Sequence, residues 1–475
     1  MFHMHNVQNT ILGIKQNASS KFSQDMEILF LIGLKLYDAA VLKPINKHFS
    51  KLMFDVIKQF PNISKFTSDI VMECFEEQAN AGGSVPQLRG EEKTHGILSF
   101  QKLECINLQF VWATPAQLFA MNFPVIWDLI SLNAGTMKCL RIFFLAWTPP
   151  ICANEGLITE PAFRNAYGYI NALQILFKVP YFCTSIARLP QFNLEVLQLE
   201  SFGNCTFLPT SRLLRPETLK VLSLVFCHDV YAMLFEISTE LKSLECLQVV
   251  EIQSDISLLG KSLRRLPPLK ALYIAMIQKS DRLDVGCLDK HRSSIKRLVL
   301  LTGGESPWFG GPYSALRRSS LGRAKHKVNF REWKKLEELT FHCGGELPTF
   351  YIPTSLKFLS VVDPSSNAQE GDPTCVYNEF LRNLTKQQMN MTKNRVWGLQ
   401  AVIISSALCL PDYVGKGFKI LETAAVAPIA DSNGRIHKPE LKVSVLELDV
   451  FRWKFPGTSI VRQDSRSRNW IDEFV

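Results

Sequence analysis

The chain has 475 residues, of which 47% are hydrophobic and 20% charged, and its formal net charge is +9. That share of apolar residues is enough to fill a long core, so the composition excludes a generally disordered protein. The positive charge is local, because residues 316–335 hold eight Arg or Lys residues and one Glu, a net +7. The rest of the chain is nearly neutral, which does not favour nucleic acid as a partner.

The first 60 residues divide into a polar tail and a more apolar head. Residues 1–24 are rich in Asn, Gln and Ser and are predicted to be disordered. Residues 25–60 contain short amphipathic segments that predict two or three helices. The apolar stretch 28–34 is too short for a secretory signal and lacks a small-residue cleavage site. We therefore expect an intracellular protein, located in the cytoplasm, the nucleus or both.

The predicted head consists of three short segments with characteristic residues. Glu27 opens the first segment, Asp38 lies at the start of the second, and Lys47-His48-Phe49-Ser50 ends the third. Over about 30 residues, this arrangement resembles an F-box. The resemblance implies a small Skp-family adaptor, and through it a cullin, as binding partners. It also implies that apolar side chains of the head contact the adaptor, namely those of Ile28, Leu29, Ile32, Leu36, Val41, Leu42, Ile45 and Phe49.

A second interpretation of the head stays open. Asp25-Met26 stands where an F-box usually has Leu-Pro, and Asn46 stands where cysteine is frequent. The end of a repeat array needs a cover for its apolar core, so the same helices would also serve as a plain cap. Residues 61–102 are predicted to continue as a cap and a flexible connection, with 63–66 as a degenerate strand and 70–75 as its helix.

A recurrent pattern follows this connection. An apolar residue, two variable residues, an apolar residue, one variable residue and another apolar residue recur twelve times, and successive starts between Ile170 and Ile295 differ by 24, 25, 25, 25 and 26 residues. This spacing of L-x-x-L-x-L is the signature of leucine-rich repeats. The sequence therefore predicts an α/β leucine-rich-repeat solenoid, or horseshoe, over residues 103–455. The motifs start at Leu103, Met137, Ile170, Leu194, Leu219, Leu244, Leu269, Ile295, Leu336, Leu356, Leu399 and Val443.

Strand alternation predicts which residues of the repeats meet a partner. Residues between and beside the apolar motif positions are expected on an exposed concave face. Interface cores favour aromatic residues and Arg, so Tyr273 and Arg297 are the preferred anchors there. The alternative is a face that is solvated or covered by loops of the protein itself. The predicted partner-binding residues are Gln174, Gln198, Glu200, Ser223, Gln248, Tyr273 and Arg297.

Longer spacings between motifs predict insertions near residues 303–335, 363–394 and 411–438, and residues 456–475 are predicted to form a C-terminal tail. Insertions in repeat proteins often lie on the binding face. The first insertion is basic and would suit a phosphorylated or acidic partner, although a solvated loop is the plainer interpretation. Nuclear localisation or nucleic-acid contact is a third interpretation. Its basic residues are Arg317, Arg318, Arg323, Lys325 and Lys327.

No pattern of catalytic or metal-binding residues accompanies the repeats. The sequence lacks H-E-x-x-H, G-x-S-x-G and a P-loop, so an enzyme is not expected. Its twelve cysteines include no C-x-x-C pair, and three of them, Cys105, Cys139 and Cys246, occupy the same strand position. We expect small apolar packing residues there, and no metal, cofactor or disulfide. No apolar run is long enough to cross a membrane.

The order of the parts, with an F-box-like head before leucine-rich repeats, resembles fungal-type F-box and leucine-rich-repeat proteins. That resemblance implies a non-catalytic substrate receptor of a cullin-based, SCF-type ubiquitin ligase, which would hold an unidentified target protein for ubiquitin-dependent degradation. The alternative is a leucine-rich-repeat interaction scaffold with no link to ubiquitin ligases.

Overall fold

The protein is described here from a computed structural model, in which it is a mixed α/β structure with many strands and few helices. The described residues form two compact units. The first unit holds those up to Lys220 together with 227–233, and the second holds Val221–Val225 and those from Leu234 onwards. The described residues are 28–31, 65–71, 102–111, 130, 132–145, 191–200, 214–225, 227, 229–251, 256–276, 285–302, 328–342, 350–351, 353–362, 398–405, 418–425, 441–458 and 460.

In the described part of the first unit, five parallel strands lie side by side in chain order. A short 3-10 helix, Pro216–Thr218, follows them, and its proline fixes the backbone at the first turn. The strands are β1 Ile28–Leu31, β2 Lys65–Val71, β3 Cys105–Val111, β4 Cys139–Leu145 and β5 Val196–Glu200.

The second unit contains a longer open sheet whose first and last strands do not pair with each other. Seven parallel strands come first, in the order β6 Val221–Val225, β7 Cys246–Glu251, β8 Ala271–Met276, β9 Arg297–Thr302, β11 Glu338–His342, β13 Phe358–Val362 and β14 Ala401–Ser405. Two antiparallel strands end it, β15 Phe418–Ala425 and β16 Leu441–Leu446. The short strands β10 Val328–Asn329 and β12 Phe350–Tyr351 pair with each other apart from this sheet.

Helices occupy few of the connections that the structure describes. α1, Val230–Ile237, follows β6, and α2, Ile256–Arg265, follows β7. A 3-10 helix, Val285–His291, lies between β8 and β9, and α3, Leu448–Lys454, follows β16. α2 is amphipathic, with Leu259 and Leu263 buried and its last turn basic. Its apolar stripe therefore faces the core, as expected for a connection that returns along a sheet.

The leucines of the motif account for the strand positions. The first motif residue is buried immediately before the strand, as at Leu219, Leu244 and Leu269. The fourth and sixth motif residues, such as Leu247 and Val249, are buried on one face of the strand. We call this the core face of the sheet. Burial of a leucine side chain at one of these positions contributes about 1.5–3 kcal/mol to stability. This burial holds each repeat against its neighbours.

Two buried polar side chains occupy equivalent places, four residues before a motif start. In the first unit, Asn133 Oδ1 accepts the backbone N–H of Leu103 at 2.7 Å. In the second unit, His291 Nδ1 accepts the N–H of Leu269 at 3.2 Å, and its Nε2 lies 2.9 Å from the Leu263 carbonyl oxygen. The imidazole is therefore neutral, with its proton on Nε2. Burial lowers the pKa of His291, against the raising effect of its bond to Leu263.

Charged residues at the second motif position form ion pairs between neighbouring repeats. The donor and acceptor atoms lie between 2.7 and 3.3 Å apart, and all of the side chains are largely solvated. Each pair contributes less than about 1 kcal/mol, because exposed charges are screened by water. The pairs are Glu104–Lys138 and Glu195–Lys220 in the first unit, and Glu245–Lys270 and Glu337–Lys357 in the second.

The structure corrects the prediction for the N-terminal head. Residues 28–31 form β1 instead of a helix, and they pair in parallel with β2. Ile70 and Val71 belong to β2, so the helix predicted over 70–75 is wrong for these two residues. A helix of only a few residues is marginal in water, whereas hydrogen bonds to β2 give the backbone of residues 28–31 partners. This tertiary pairing overrides the helical periodicity of the local sequence. The other residues of 1–60 lie outside the described part of the chain.

Three further predictions need correction. β4 pairs directly with β5, so no strand from the motif at Ile170 lies between them. The predicted insertion 411–438 contains β15, and the insertion 303–335 contains β10 and the buried Phe330 and Trp333. The motif at Val443 is misplaced, because its sixth residue, Leu448, belongs to α3. The motif pattern therefore predicted one strand too many between β4 and β5, misplaced the last motif, and gave no sign of the strands within the two insertions.

Candidate functional site

The predicted partner-binding residues lie in rows that cross the strands. Register partners stand side by side in a parallel sheet. In the second unit Ser223 is beside Gln248, and Gln248 is beside Tyr273. In the first unit Arg141 is beside Gln198. Because these residues alternate with the motif leucines, they lie opposite the core face, and we call their side the row face.

The prediction that the row face is exposed is wrong for five of its residues. Gln198, Glu200, Ser223, Gln248 and Tyr273 are all at most 4% exposed. Parallel strands are normally covered on both faces, and β5 and β6 are buried along their whole length. Apolar residues on the row face make such a cover favourable, among them Val221, Val225, Val250, Ala271 and Ala275. The partner-binding role of the five residues stays a prediction.

The buried polar residues of the row face differ in how they are satisfied. In the second unit the Ser223 hydroxyl donates to Gln248 Oε1 at 2.8 Å. In the first unit neither Oε1 nor Nε2 of Gln198 has a hydrogen-bond partner among the residues that the structure describes. An unsatisfied buried polar group costs about 1–3 kcal/mol. The Ser223–Gln248 hydrogen bond avoids this cost for the Gln248 Oε1 in the second unit.

Arg297 is held by the second unit's own residues. Its side chain is 17% exposed, and its Nε lies 3.6 Å from Glu338 Oε1 on the neighbouring strand. Its Nη2 also donates to the carbonyl oxygen of Gly457 at 3.2 Å. Arg297 therefore links β9 and β11 to the C-terminal segment, which comprises α3 and the described residues after it, up to residue 460. Sequence reasoning missed Glu338, although it occupies the third motif position of its repeat, as Arg297 does in its own.

The C-terminal segment packs against the row face of the last strands. Phe451 of α3 is fully buried, and its ring centroid lies 6.1 Å from that of Phe358. The Phe455 ring lies 5.3 Å from Phe358 and 5.1 Å from Phe451. Ile460 is also buried in this cluster, so the predicted tail 456–475 is wrong at least as far as residue 460. The cluster also contains Ala401, Ile403 and Ile420.

The opposite side of α3 carries exposed apolar side chains. Trp453 is 83% exposed, and Val450, one helical turn before it, is also exposed. Arg452 and Lys454 flank the tryptophan. Tryptophan and arginine are the residue types most enriched among the residues that dominate binding energy at interfaces. This outer side of α3 is the exposed surface of the described residues that best suits a protein partner.

The remaining predicted site residues are only partly described. Ile28 and Leu29 lie in β1, whereas Gln174 lies outside the described residues. The same holds for the other predicted adaptor contacts, Ile32, Leu36, Val41, Leu42, Ile45 and Phe49, and for the basic residues Arg317, Arg318, Arg323, Lys325 and Lys327.

Within the described ranges, no cluster of His, Cys, Asp and Glu is arranged to hold a metal ion. None of the helices described above has both the length and the apolar character needed to cross a membrane. His291 already uses both ring nitrogens in backbone hydrogen bonds, so it is a structural residue.

Comparison with known proteins adds no identification. No protein-family profile matches the chain, and no curated protein matches it.

Proposed function

We propose that this chain is a leucine-rich-repeat protein with a non-catalytic, protein-binding role. The observation that carries the proposal is the agreement between the motif and the strands. In the second unit, motifs starting at Leu219, Leu244, Leu269 and Ile295 each precede a parallel strand that pairs with the next. Arrays of this kind offer extended surfaces for protein partners.

We propose more specifically that the protein is the substrate receptor of a cullin-based ubiquitin ligase. The F-box-like head supports this role through Asp38 and the run Lys47-His48-Phe49-Ser50. β1 removes Ile28 and Leu29 from the helix that an F-box requires. The proposed adaptor surface is therefore the later apolar residues, from Leu36 to Phe49. The receptor would act by proximity, bringing a target protein to the ubiquitin-transfer machinery in the cytoplasm or the nucleus.

The test is co-precipitation of a Skp-family adaptor and a cullin with the full chain. The variant Leu36→Asp/Val41→Asp removes apolar side chains from the proposed adaptor surface and should abolish capture of both proteins. The matched control is Leu132→Asp, which changes an exposed leucine elsewhere and should leave capture unchanged. Circular dichroism checks that all three proteins fold. Failure of the intact chain to capture the adaptor would refute the receptor role.

One observation favours a second candidate, an interaction scaffold without a ligase link. β1 is the outer neighbour of β2 in the first unit, as expected if the head covers the start of a repeat array. A scaffold would still use the outer side of α3. Quantitative comparison of proteins bound by the intact chain and by Trp453→Ala should then show specific partners lost from the variant, with no adaptor or cullin among either set.

A further inference from the structure

Cys105 and Cys139 occupy directly neighbouring positions on two strands of the first unit. They are register partners in the parallel pair β3–β4. Each stands at the third position of its motif, so both side chains emerge on the row face. The structure records both as thiols, and a hydrogen bond joins their side chains. This is a dithiol formed by residues 34 positions apart in the sequence.

The backbone geometry at this pair suits a covalent bond. Neighbouring strands lie about 4.7–4.9 Å apart. Disulfides usually join residues whose Cα atoms are about 4.4–6.8 Å apart and whose Cβ atoms are about 3.5–4.5 Å apart. The strand spacing lies within the Cα range, so a bond between Cys105 and Cys139 needs rotation of the side chains and a small inward tilt that brings the two Cβ atoms together.

We infer that Cys105 and Cys139 are a redox modification site, at which a peroxide forms a reversible disulfide across β3 and β4. In the first step the Cys105 sulfur attacks the peroxide O–O bond and becomes a sulfenic acid, releasing water. In the second step the Cys139 sulfur attacks the Cys105 sulfur, the S–S bond forms, and the hydroxyl leaves as a second water. Two thiols and one hydrogen peroxide thus give one disulfide and two waters, and a small thiol reductant reverses the change.

The surroundings of the pair set the order of these steps. Cys105 is partly exposed, whereas Cys139 is 5% exposed, so an oxidant reaches Cys105 first. The hydrogen bond with Cys105 and burial both raise the pKa of Cys139, against the opposing charge of Arg141. Cys139 therefore keeps its proton while Cys105 is a thiol. Once Cys105 becomes a sulfenic acid, its thiol no longer raises the pKa of Cys139, and Cys139 loses its proton as its sulfur attacks as the resolving thiol.

Cys246 in the second unit is a matched internal control. It holds the same motif position, but its register partners are Val221 and Ala271. It is buried, and burial raises its pKa against the effect of Arg297. Cys246 thus shares the packing of the pair but has no thiol on the adjoining strands. If burial and motif position alone determined oxidation, Cys246 would behave like Cys139.

The experiment treats the folded full chain with hydrogen peroxide, blocks the remaining thiols by alkylation, and identifies disulfide-linked peptides after trypsin without reduction. Cleavage after Lys102, Lys138 and Arg141 places Cys105 in peptide 103–138 and Cys139 in peptide 139–141. We expect these two peptides to be linked in most molecules, the link to disappear with a thiol reductant, and Cys246 to be alkylated.

Variants complete the test. Cys105→Ser and Cys139→Ser should each abolish the link, whereas Cys246→Ser should leave it unchanged. Circular dichroism before and after oxidation checks that the protein stays folded. The inference is overturned if the intact folded chain yields no 103–138/139–141 link, or if Cys139 links to other cysteines as often as to Cys105.

Discussion

Strands β6–β9 and strands β14–β16 belong to the same unit but are covered differently. In the first region the motifs recur every 25 or 26 residues, all strands are parallel, and short helices fill the connections. In the second region the motif starts are 43 and 44 residues apart, β15 runs antiparallel between its neighbours, and α3 packs on the row face. Where the period is constant, each strand is flanked by the strands of the adjoining repeats. Where the spacing is longer, the additional residues form β15, β16 and α3, and α3 covers the row face.

The difference also concerns which contacts are local. Between β6 and β9 each strand pairs with the strands that precede and follow it. At the C-terminal end, the bond from Arg297 of β9 to Gly457 connects residues 160 positions apart, and Phe451 of α3 packs on Phe358 of β13. Strands β6–β8 should therefore respond to mutation through neighbouring repeats alone, whereas β9 and the last strands depend on contacts distant in sequence.

The largest expected loss of stability follows from a substitution in the C-terminal region. Phe451→Ala should lower the free energy of unfolding by about 3–5 kcal/mol, because a fully buried ring is lost from the cluster around Phe358. Hydrogen exchange should accelerate in β14–β16 and remain slow in β6–β8. Trp453→Ala, on the exposed side of α3, should change unfolding by less than about 0.5 kcal/mol. Equal acceleration in both regions would show that the two are not separable.

The next effect acts on the repeats themselves. His291→Leu should cost about 1–3 kcal/mol for each of two buried backbone groups, the Leu269 N–H and the Leu263 carbonyl, that lose their partner. Urea titration measures the loss. His291→Gln, which keeps an acceptor and a donor, should be less harmful, and a result in which both variants lose the same stability would contradict this role.

The lowered pKa of His291 also makes the free energy of unfolding depend on pH. Burial lowers its pKa in the folded protein, so below about pH 6.5 the unfolded chain binds a proton that the folded chain does not. The contribution of His291 to stability is therefore full above pH 6.5 and declines as the pH falls toward the lowered value. Urea titrations at pH 7.5 and 5.5 should show a smaller decline for His291→Gln than for the unmodified chain. An identical decline would assign the pH dependence to other groups.

A smaller loss of stability is expected at the close contact between Gly398, just before β14, and the backbone of Thr354. A Cβ atom at Gly398 would lie 2.5 Å from the carbonyl oxygen of Thr354, so Gly398→Ala must displace backbone. We expect a loss of about 1–3 kcal/mol in thermal or urea unfolding. Gly457→Ala is the control, because a Cβ there meets no atom within 4 Å. Similar stability of the two variants would mean that the backbone at 398 shifts freely.

The smallest effect concerns the charged pairs. Lys270→Glu places a like charge beside Glu245 and should cost less than about 1 kcal/mol, with the loss decreasing at high salt. The double exchange Glu245→Lys/Lys270→Glu should recover the stability. If the single variant is as stable as the unmodified chain at low salt, the pair contributes nothing to this region.

Much of the strand framework could be predicted from the motif. The leucine positions identified β3, β4, β5 and the parallel strands of the second unit, because leucine at fixed positions both sets the strand and fills the core. The direction of β15 could not be predicted, since its residues Phe418–Ala425 carry no repeat motif and its pairing depends on β14 and β16. β1 was missed because a four-residue apolar run fits a helix or a strand equally well.

The candidate site was less predictable than the fold. Alternation placed Gln198, Ser223, Gln248 and Tyr273 on the correct side of the strands, but alternation says nothing about what lies over that side. Their burial depends on what covers the row face, which strand alternation does not encode. The contacts of Phe451 with Phe358 are likewise not predictable from local sequence, although α3, with buried Phe451 between exposed Val450 and Trp453, has an amphipathic pattern.

The ion pairs at the second motif position have a consequence for how such a chain changes over generations. Because each pair joins two successive strands, duplication or deletion of both repeats of one pair, such as those of Glu245 and Lys270, leaves the other glutamate–lysine pairs intact. A change by one repeat at Glu337–Lys357 would leave an unmatched charge or bring like charges together. Gain or loss of a paired double repeat should thus disturb fewer ion pairs than gain or loss of a single repeat.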